Sequence, residues 1–321
     1  MKENFWESLP RPYFILAPME DVTDVVFRHV IAKAAPADVY FTEFTNSKAY
    51  ANAEDGDTIR GRLIFTEDEQ PIVGHIWGKD PVDFSNMAKG LKEMGFSGVD
   101  INMGCPADNV AYNGSGSGLI KTPEIAAQVI QAAKEGGLPV SVKTRLGYYK
   151  VSEYKAWISH LLRQDIVNLT VHLRTREEMS DYDAHWEIIP DLIKLRDELA
   201  PNTLLTINGD MANRKEGLNL VEKYGVDGVM IGRGVFDDPF AFELDNRQHG
   251  KEELMDLLNF HLDLYDEMVA KHPGLSKNIN RLYKMYIKGF RGASKLRDQL
   301  TRSKDTREAR QILREFEQKD E

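Results

Sequence analysis

What most constrains this chain is a rhythm. Eight short β-rich runs recur up to Gly234, and the stretches between them carry apolar residues at helical spacing. The runs are Tyr13–Met19, Val39–Phe44, Pro71–Gly78, Gly98–Cys105, Pro139–Gly147, Asn168–Thr175, Leu204–Asp210 and Gly228–Gly234. Phe84, Met87, Leu91 and Met94 fall at i, i+3, i+7 and i+10, and Ile125, Val129, Ile130 and Ala133 mark another helical face. The runs are mostly apolar rather than alternating, as expected for strands covered on both faces. Eight strands alternating with helices predict an α/β fold, a (β/α)8 TIM barrel. A doubly wound open sheet is the rival. The count of eight, and polar residues gathered at the C-terminal ends of the runs, favour the barrel.

After Gly234 the pattern changes. Residues 251–270 read as an amphipathic helix, His272-Pro273-Gly274 break it, and helical spacing resumes from Ser276 to Lys288. Gly289 and Gly292 interrupt again, and a short helix is predicted near Ser294. The expected domains are a barrel over 1–244 and a helical appendage over 245–321, a division that suits 321 residues. The net charge of −10 argues by itself against a nucleic-acid partner. Its distribution argues otherwise: residues 271–310 hold 12 Lys or Arg against 3 Asp or Glu and residues 311–321 carry −2, so residues 1–270 carry −17. An acidic body with a basic segment near its end suggests two tasks on two parts.

No run of 18 apolar residues occurs, and the first residues, MKENFWESLPRPYF, have neither an apolar h-region nor a small-residue cleavage site. Neither a membrane span nor a secretory signal is expected. Cys105 is the one cysteine, so no intrachain disulfide can form, which favours a reducing, cytoplasmic setting. With one Cys and no HExxH, no metal site is expected.

Several strand ends carry chemistry. Gly232-Arg233-Gly234 closes the last run and Asn208-Gly209-Asp210 the seventh; glycines admit an anion to the backbone and Arg233 adds charge, or both are ordinary turns. Lys143 lies inside an apolar strand, where it needs an anion: a flavin's pyrimidine edge, a structural carboxylate, or a Schiff-base substrate. His172 and Arg174, two apart, share one side of the sixth run. Cys105 sits between Gly104 and Pro106 at the end of the fourth run, with Gly114, Gly116 and Gly118 following. A buried hydrophobe is the bland reading of a lone cysteine; here the turn presents a thiol at the barrel mouth, as nucleophile or general acid.

APMEDVTDVVFR (17–28), DINMGCP (100–106), VKTRLG (142–147), VHLRT (171–175), NGD (208–210), IGRG (231–234) and INRLYKMYIKGFRGASKLR (279–297) resemble, in order, the signatures of the tRNA-dihydrouridine synthases. The resemblance covers nearly the whole chain. It implies an FMN cofactor, reduced by NADPH, that reduces the C5–C6 double bond of uridine in tRNA. It implies that Ala17, Pro18 and Met19 pack on the flavin and that Lys143 meets its pyrimidine edge. Asn208, Gly209, Asp210, Gly232 and Arg233 would hold the phosphate, with His172 nearby. Asn102, Arg145 and Arg174 would meet the substrate, and Cys105 would donate the proton to C5 after hydride reaches C6. A monomer is expected.

Lys277, Arg281, Lys284, Lys288, Arg291 and Lys295 would form one basic stripe on a continuous helix, which Gly289 and Gly292 are expected to bend; it suits tRNA backbone, although such runs are often only a solvated face. One departure from the family is His75, where members carry Gln facing the flavin. A neutral His can donate and accept, a charged one only donates, so flavin binding is expected to vary with pH near about 6–7. Three rivals stay open: a flavin barrel acting on a free pyrimidine or dihydroorotate, a lyase using Lys143 as a Schiff base, and an RNA-binding barrel without catalysis.

Overall fold

The computed structural model describes residues 4–320, apart from 55–56, 246, 273 and 276–278, with side chains as far as residue 318. Its strands are β1 (Tyr13–Leu16), β2 (Val39–Phe41), β3 (Thr45–Asn46), β4 (Ile72–Trp77), β5 (Gly98–Met103), β6 (Val140–Arg145), β7 (Asn168–His172), β8 (Leu204–Asn208) and β9 (Gly228–Ile231). All pair in parallel. Around the ring the order is β1, β2, β4, β5, β6, β7, β8, β9 and back to β1. Tyr40 opposite Ile72 and Phe41 opposite Val73 close it. The expected eight-stranded barrel is therefore present.

The predicted run Val39–Phe44 is split. Thr42 Oγ1 accepts the His75 N–H at 3.0 Å, a role a backbone carbonyl would fill in an unbroken ladder. Pairing with β4 resumes at Thr45, opposite Ile76. The other runs stop one to three residues early, and the residues left over, including Ala17–Met19, Cys105, Gly209-Asp210 and Gly232-Arg233, form the loops at the C-terminal mouth.

Inside the barrel the two sides differ. Tyr13, Ile15, Val39, Phe41, Val73 and Met230 make an apolar cluster, sealed below by Trp6. The side made by β5–β8 is polar: Asp100, Ser141, Asn168, Thr170 and Thr206 are all buried. Tyr13 joins the halves, its hydroxyl 3.0 Å from Asn168 Oδ1 and 2.9 Å from Thr206 Oγ1. Outside, Phe84, Met87 and Leu91 are fully buried as their spacing predicted, each contributing about 1.5–3 kcal/mol. Met94 lies beyond the last helical residue, Glu93, and is 37% exposed.

The helix Lys251–Lys271 packs on Val25–Ala34 and shares their apolar cores. A 3-10 helix follows at Ile279–Met285, then helices at Ala293–Thr301 and Thr306–Asp320. The predicted basic stripe is not continuous. Gly289 and Gly292, with φ of 77° and 86°, turn the chain between Met285 and Ala293, so the basic residues sit on separate pieces. Arg281, Lys284, Arg291 and Lys295 are exposed, Lys288 is half-buried, and Lys277 lies outside the described residues. Among the described residues no helix is long and apolar enough to cross a membrane.

Candidate active site

A cavity of about 440 Å³ opens at the C-terminal mouth. Its walls bring together most of the residues expected at a cofactor: Ala17, Pro18 and Met19 after β1, Lys143 of β6, His172 of β7, Asn208, Gly209 and Asp210 from β8, and Gly232 and Arg233 after β9. Ser180, Met211, Ala212, Gly234 and Asp237 also line it. Gly234 belongs to the glycine turn read from the sequence; no sequence pattern marked the other four, because loop packing alone brings them there. His75, Asn102, Cys105, Arg145 and Arg174 are not on its wall.

Backbone shape fixes the corner between β8 and β9. Gly209 has φ 125°, and a Cβ there would sit 3.1 Å from Ala184 Cβ and 3.2 Å from His172 Cδ2. Asp210 follows with φ 51°. Its carboxylate pairs with Arg174, accepts the Ala184 N–H at 2.9 Å, and lies 3.2 Å from Arg233 Nη2. Burial would raise the Asp210 pKa, but these partners hold it below the usual carboxylate range. Asp210 therefore orients Arg233 over the corner.

Arg174 departs from its expected place at the substrate. It is buried, and its guanidinium is spent on Asp210, the Tyr182 carbonyl and His172 Nε2, the last at 3.1 Å. Because Arg174 donates to Nε2, the His172 proton belongs on Nδ1. Burial and the charges of Arg145, Lys143, Arg174 and Arg233 drive the His172 pKa well below its ordinary value, so the ring is neutral. Lys143 donates to Asn208 Oδ1 at 3.2 Å; burial, and then Arg145, lower its pKa to about 8.

Cys105 is half-buried on the turn after β5. Asn102 Oδ1 accepts the N–H groups of Gly104 at 3.0 Å and Cys105 at 2.8 Å. The Cys105 carbonyl accepts the Ser117 hydroxyl at 2.8 Å, closing the glycine-rich loop onto the turn. Burial raises the thiol pKa against the pull of the Ala107 amide and Arg145. Arg145 donates to the carbonyls of Gly104, Thr175 and Met179 at 2.8–2.9 Å, tying the loops after β5 and β7 together.

His75 is fully buried, its Nδ1 2.7 Å from Asp100 Oδ2. Burial lowers its pKa despite that carboxylate, so the ring is neutral with its proton on Nδ1. Nε2 is then an acceptor, buried and without a partner among the described residues. Near-neutral titration of His75, expected from sequence, is thus overturned by burial. Glu43 was missed. It is 2% exposed, its Oε1 has no partner, and burial together with Asp24 raises its pKa to about 8. An acid inside the apolar run VYFTEF carried the same signal as Lys143.

Residues 15–320 match the family model for dihydrouridine synthase (Dus). The chain is 61% identical over 319 residues to the probable tRNA-dihydrouridine synthase 2 of Bacillus subtilis (strain 168), covering 99% of this chain and 98% of that one. It is 59% identical over 317 residues to the probable tRNA-dihydrouridine synthase of Staphylococcus aureus (strain COL), covering 99% and 97%. Among solved structures, the amine oxidase for 6-hydroxypseudooxynicotine from Pseudomonas geniculata N1 aligns with TM-score 0.52 at 9% identity, over 72% of this chain and 46% of that one. That likeness shows the barrel alone. The chain belongs to the dihydrouridine synthase family.

Proposed function

We propose that this protein is a tRNA-dihydrouridine synthase of the cytoplasm, acting as a single chain. It reduces the C5–C6 double bond of specific tRNA uridines with FMN and NADPH, the barrel (1–244) catalysing and the helical part (245–321) gripping RNA. The observation that supports it most is convergence. A half-buried thiol that keeps its proton and a cationic, glycine-bounded corner share one barrel mouth.

The residues fit a flavin mononucleotide. The cavity lies within the roughly 300–1,000 Å³ of small-molecule sites. Arg233 and the backbone at Gly209 and Gly232 suit a phosphate, with Asp210 and Arg174 bracing Arg233 from behind. His75 Nε2, buried and unpaired, suits a ring N–H. The chemistry supplied by a bound flavin is hydride transfer to C6 of uracil, with NADPH as the source of electrons.

The protein's own residues do the rest. Ala17, Pro18 and Met19 would form the wall behind the ring. Lys143, held by Asn208, would supply positive charge to it, and His172 would donate through Nδ1–H. Asn102 spends its carbonyl oxygen on the Cys105 turn, which leaves its amide NH₂ to donate to the uracil. Arg145 keeps the loops around the base in register. Cys105 would deliver a proton to C5, and burial keeps that proton on at neutral pH. Arg281 and Lys284 would meet RNA phosphates, with Lys288 anchoring their segment to Asp237.

The deciding experiment incubates unmodified tRNA with the protein, FMN and NADPH, beside Cys105→Ala. Dihydrouridine from the wild type and almost none from the variant is the expected result. Flavin reduction by NADPH with no dihydrouridine in any tRNA, and turnover of a free pyrimidine instead, would overturn the proposal.

A further inference from the structure

A second cavity, of about 650 Å³, lies between the segment that follows β5 and the one that follows β6. It shares no lining residue with the cavity described above. Its walls are aromatic. The rings of Tyr148 and Tyr149 lie 4.6 Å apart, and Trp157 and His160 stack with an interplanar angle of 11°. Tyr149 is 59% exposed, so one aromatic ring of the wall is open to solvent. Exposed Lys121 places its ammonium 4.2 Å from the centre of the Tyr148 ring.

Two polar atoms behind this wall are unspent among the described residues. The Tyr148 hydroxyl and His160 Nε2 are both buried and have no partner. Tyr148 is 2% exposed. Both atoms are closed off from the cavity, so they lie behind its wall and a bound ligand would not reach them. The Trp157 indole is already satisfied by Thr144 Oγ1 at 2.9 Å, and the Glu153 carboxylate by the N–H groups of Tyr148 at 2.7 Å and Lys150 at 3.1 Å. What remains open is the Tyr149 ring, with the exposed Lys121 ammonium over the neighbouring Tyr148 ring. A nucleotide needs the same two things: a stacking platform and a charge for its phosphate.

The position fits. Arg176 lies over Tyr148 at 5.5 Å and pairs with Asp108, in the loop that follows Cys105. The cavity therefore borders the catalytic mouth. The basic segment sits on the other side of the barrel, where Arg281 reaches the Glu20 carbonyl after β1 and Lys288 the Asp237 carbonyl after β9. An RNA held by that segment and presenting a uridine to Cys105 crosses the mouth toward this cavity.

We propose that the cavity is a second nucleotide subsite. It takes a base of the tRNA other than the uridine being reduced, stacked on Tyr149, with Lys121 at its phosphate. This rests on the tRNA function proposed above. The test compares wild type with Tyr149→Ala, Tyr149→Phe and Lys121→Gln, using tRNA dissociation constants and steady-state kinetics. With Tyr149→Ala, the dissociation constant and KM for tRNA should rise roughly tenfold, as loss of one stacked base predicts, with kcat nearly unchanged. Tyr149→Phe should stay within about threefold of wild type, since the stacking face is kept. Only Lys121→Gln should flatten the salt dependence of binding. The rate of flavin reduction by NADPH should be the same in all four proteins.

Wild-type tRNA affinity in Tyr149→Ala would overturn the subsite. A rise in KM for NADPH instead of tRNA would do so too, by assigning the cavity to a free dinucleotide. If wild-type protein made no dihydrouridine, the function proposed above would fall. Direct tRNA binding by the same variants would still decide the cavity.

Discussion

Cys105 and Lys143 are the residues whose protonation matters most, and burial moves them in opposite directions. The thiol pKa rises, so Cys105 remains an acid through neutral pH. Replacing it with Ala should cost about 10²–10⁴ in dihydrouridine formation and leave flavin reduction by NADPH intact, as single-turnover assays of the two half-reactions can show. Lys143 is cationic below about pH 8 and neutral above it. Flavin affinity should therefore weaken as pH climbs through about 8, and Lys143→Met should flatten that limb of a fluorescence titration. His75 should add no limb above neutral pH, because burial lowers its pKa. Asp100→Asn should weaken flavin binding across the whole range, by releasing the tautomer that leaves Nε2 as acceptor. Cys105, Lys143 and Gly209 were legible in the sequence because each breaks a local rule: a thiol on a turn, a cation in a strand, a glycine where the chain reverses. Arg174 was misread because its partners, Asp210 and the Tyr182 carbonyl, come from loops whose path the sequence does not declare.

Elements were legible where burial imposes a period. The eight barrel strands read as apolar runs because helices cover one face and the barrel interior the other. The break in the second strand was invisible because a threonine side chain stands in for a backbone carbonyl. The helix Thr306–Asp320 went unassigned, although buried Ala309 and Leu313 recur on it four apart, because charged residues crowd the pattern. Between elements, one ion pair stands out. Arg28, on the helix Val25–Ala34, is fully buried with Glu69 at 2.6 Å and also donates to the carbonyls of Thr23 and Ile64, each at 2.8 Å. Arg28→Met leaves Glu69 buried without its partner and should cost about 3–5 kcal/mol, seen as a lower urea midpoint. A loss below about 1 kcal/mol would mean that the segment around Glu69 is already open to water.

For the whole molecule, charge is divided between an acidic barrel and a basic edge, and RNA affinity should follow the edge. Arg281→Gln and Lys284→Gln should each reduce the slope of log affinity against log salt by about 0.7–0.9, without changing which uridine is reduced. The basic segment rests on the barrel through Lys288, whose ammonium donates to the Asp237 carbonyl. Asp237 also lines the catalytic cavity, at the far end of the turn that begins with Gly232 and Arg233. On the proposed function, one short turn would be the floor for a phosphate on one side and the footing for an RNA clamp on the other. A ligand that stiffens it from either side lowers the cost of binding on the other, and the gain must be equal in both directions. Protein stripped of FMN should therefore bind tRNA more weakly than the loaded enzyme.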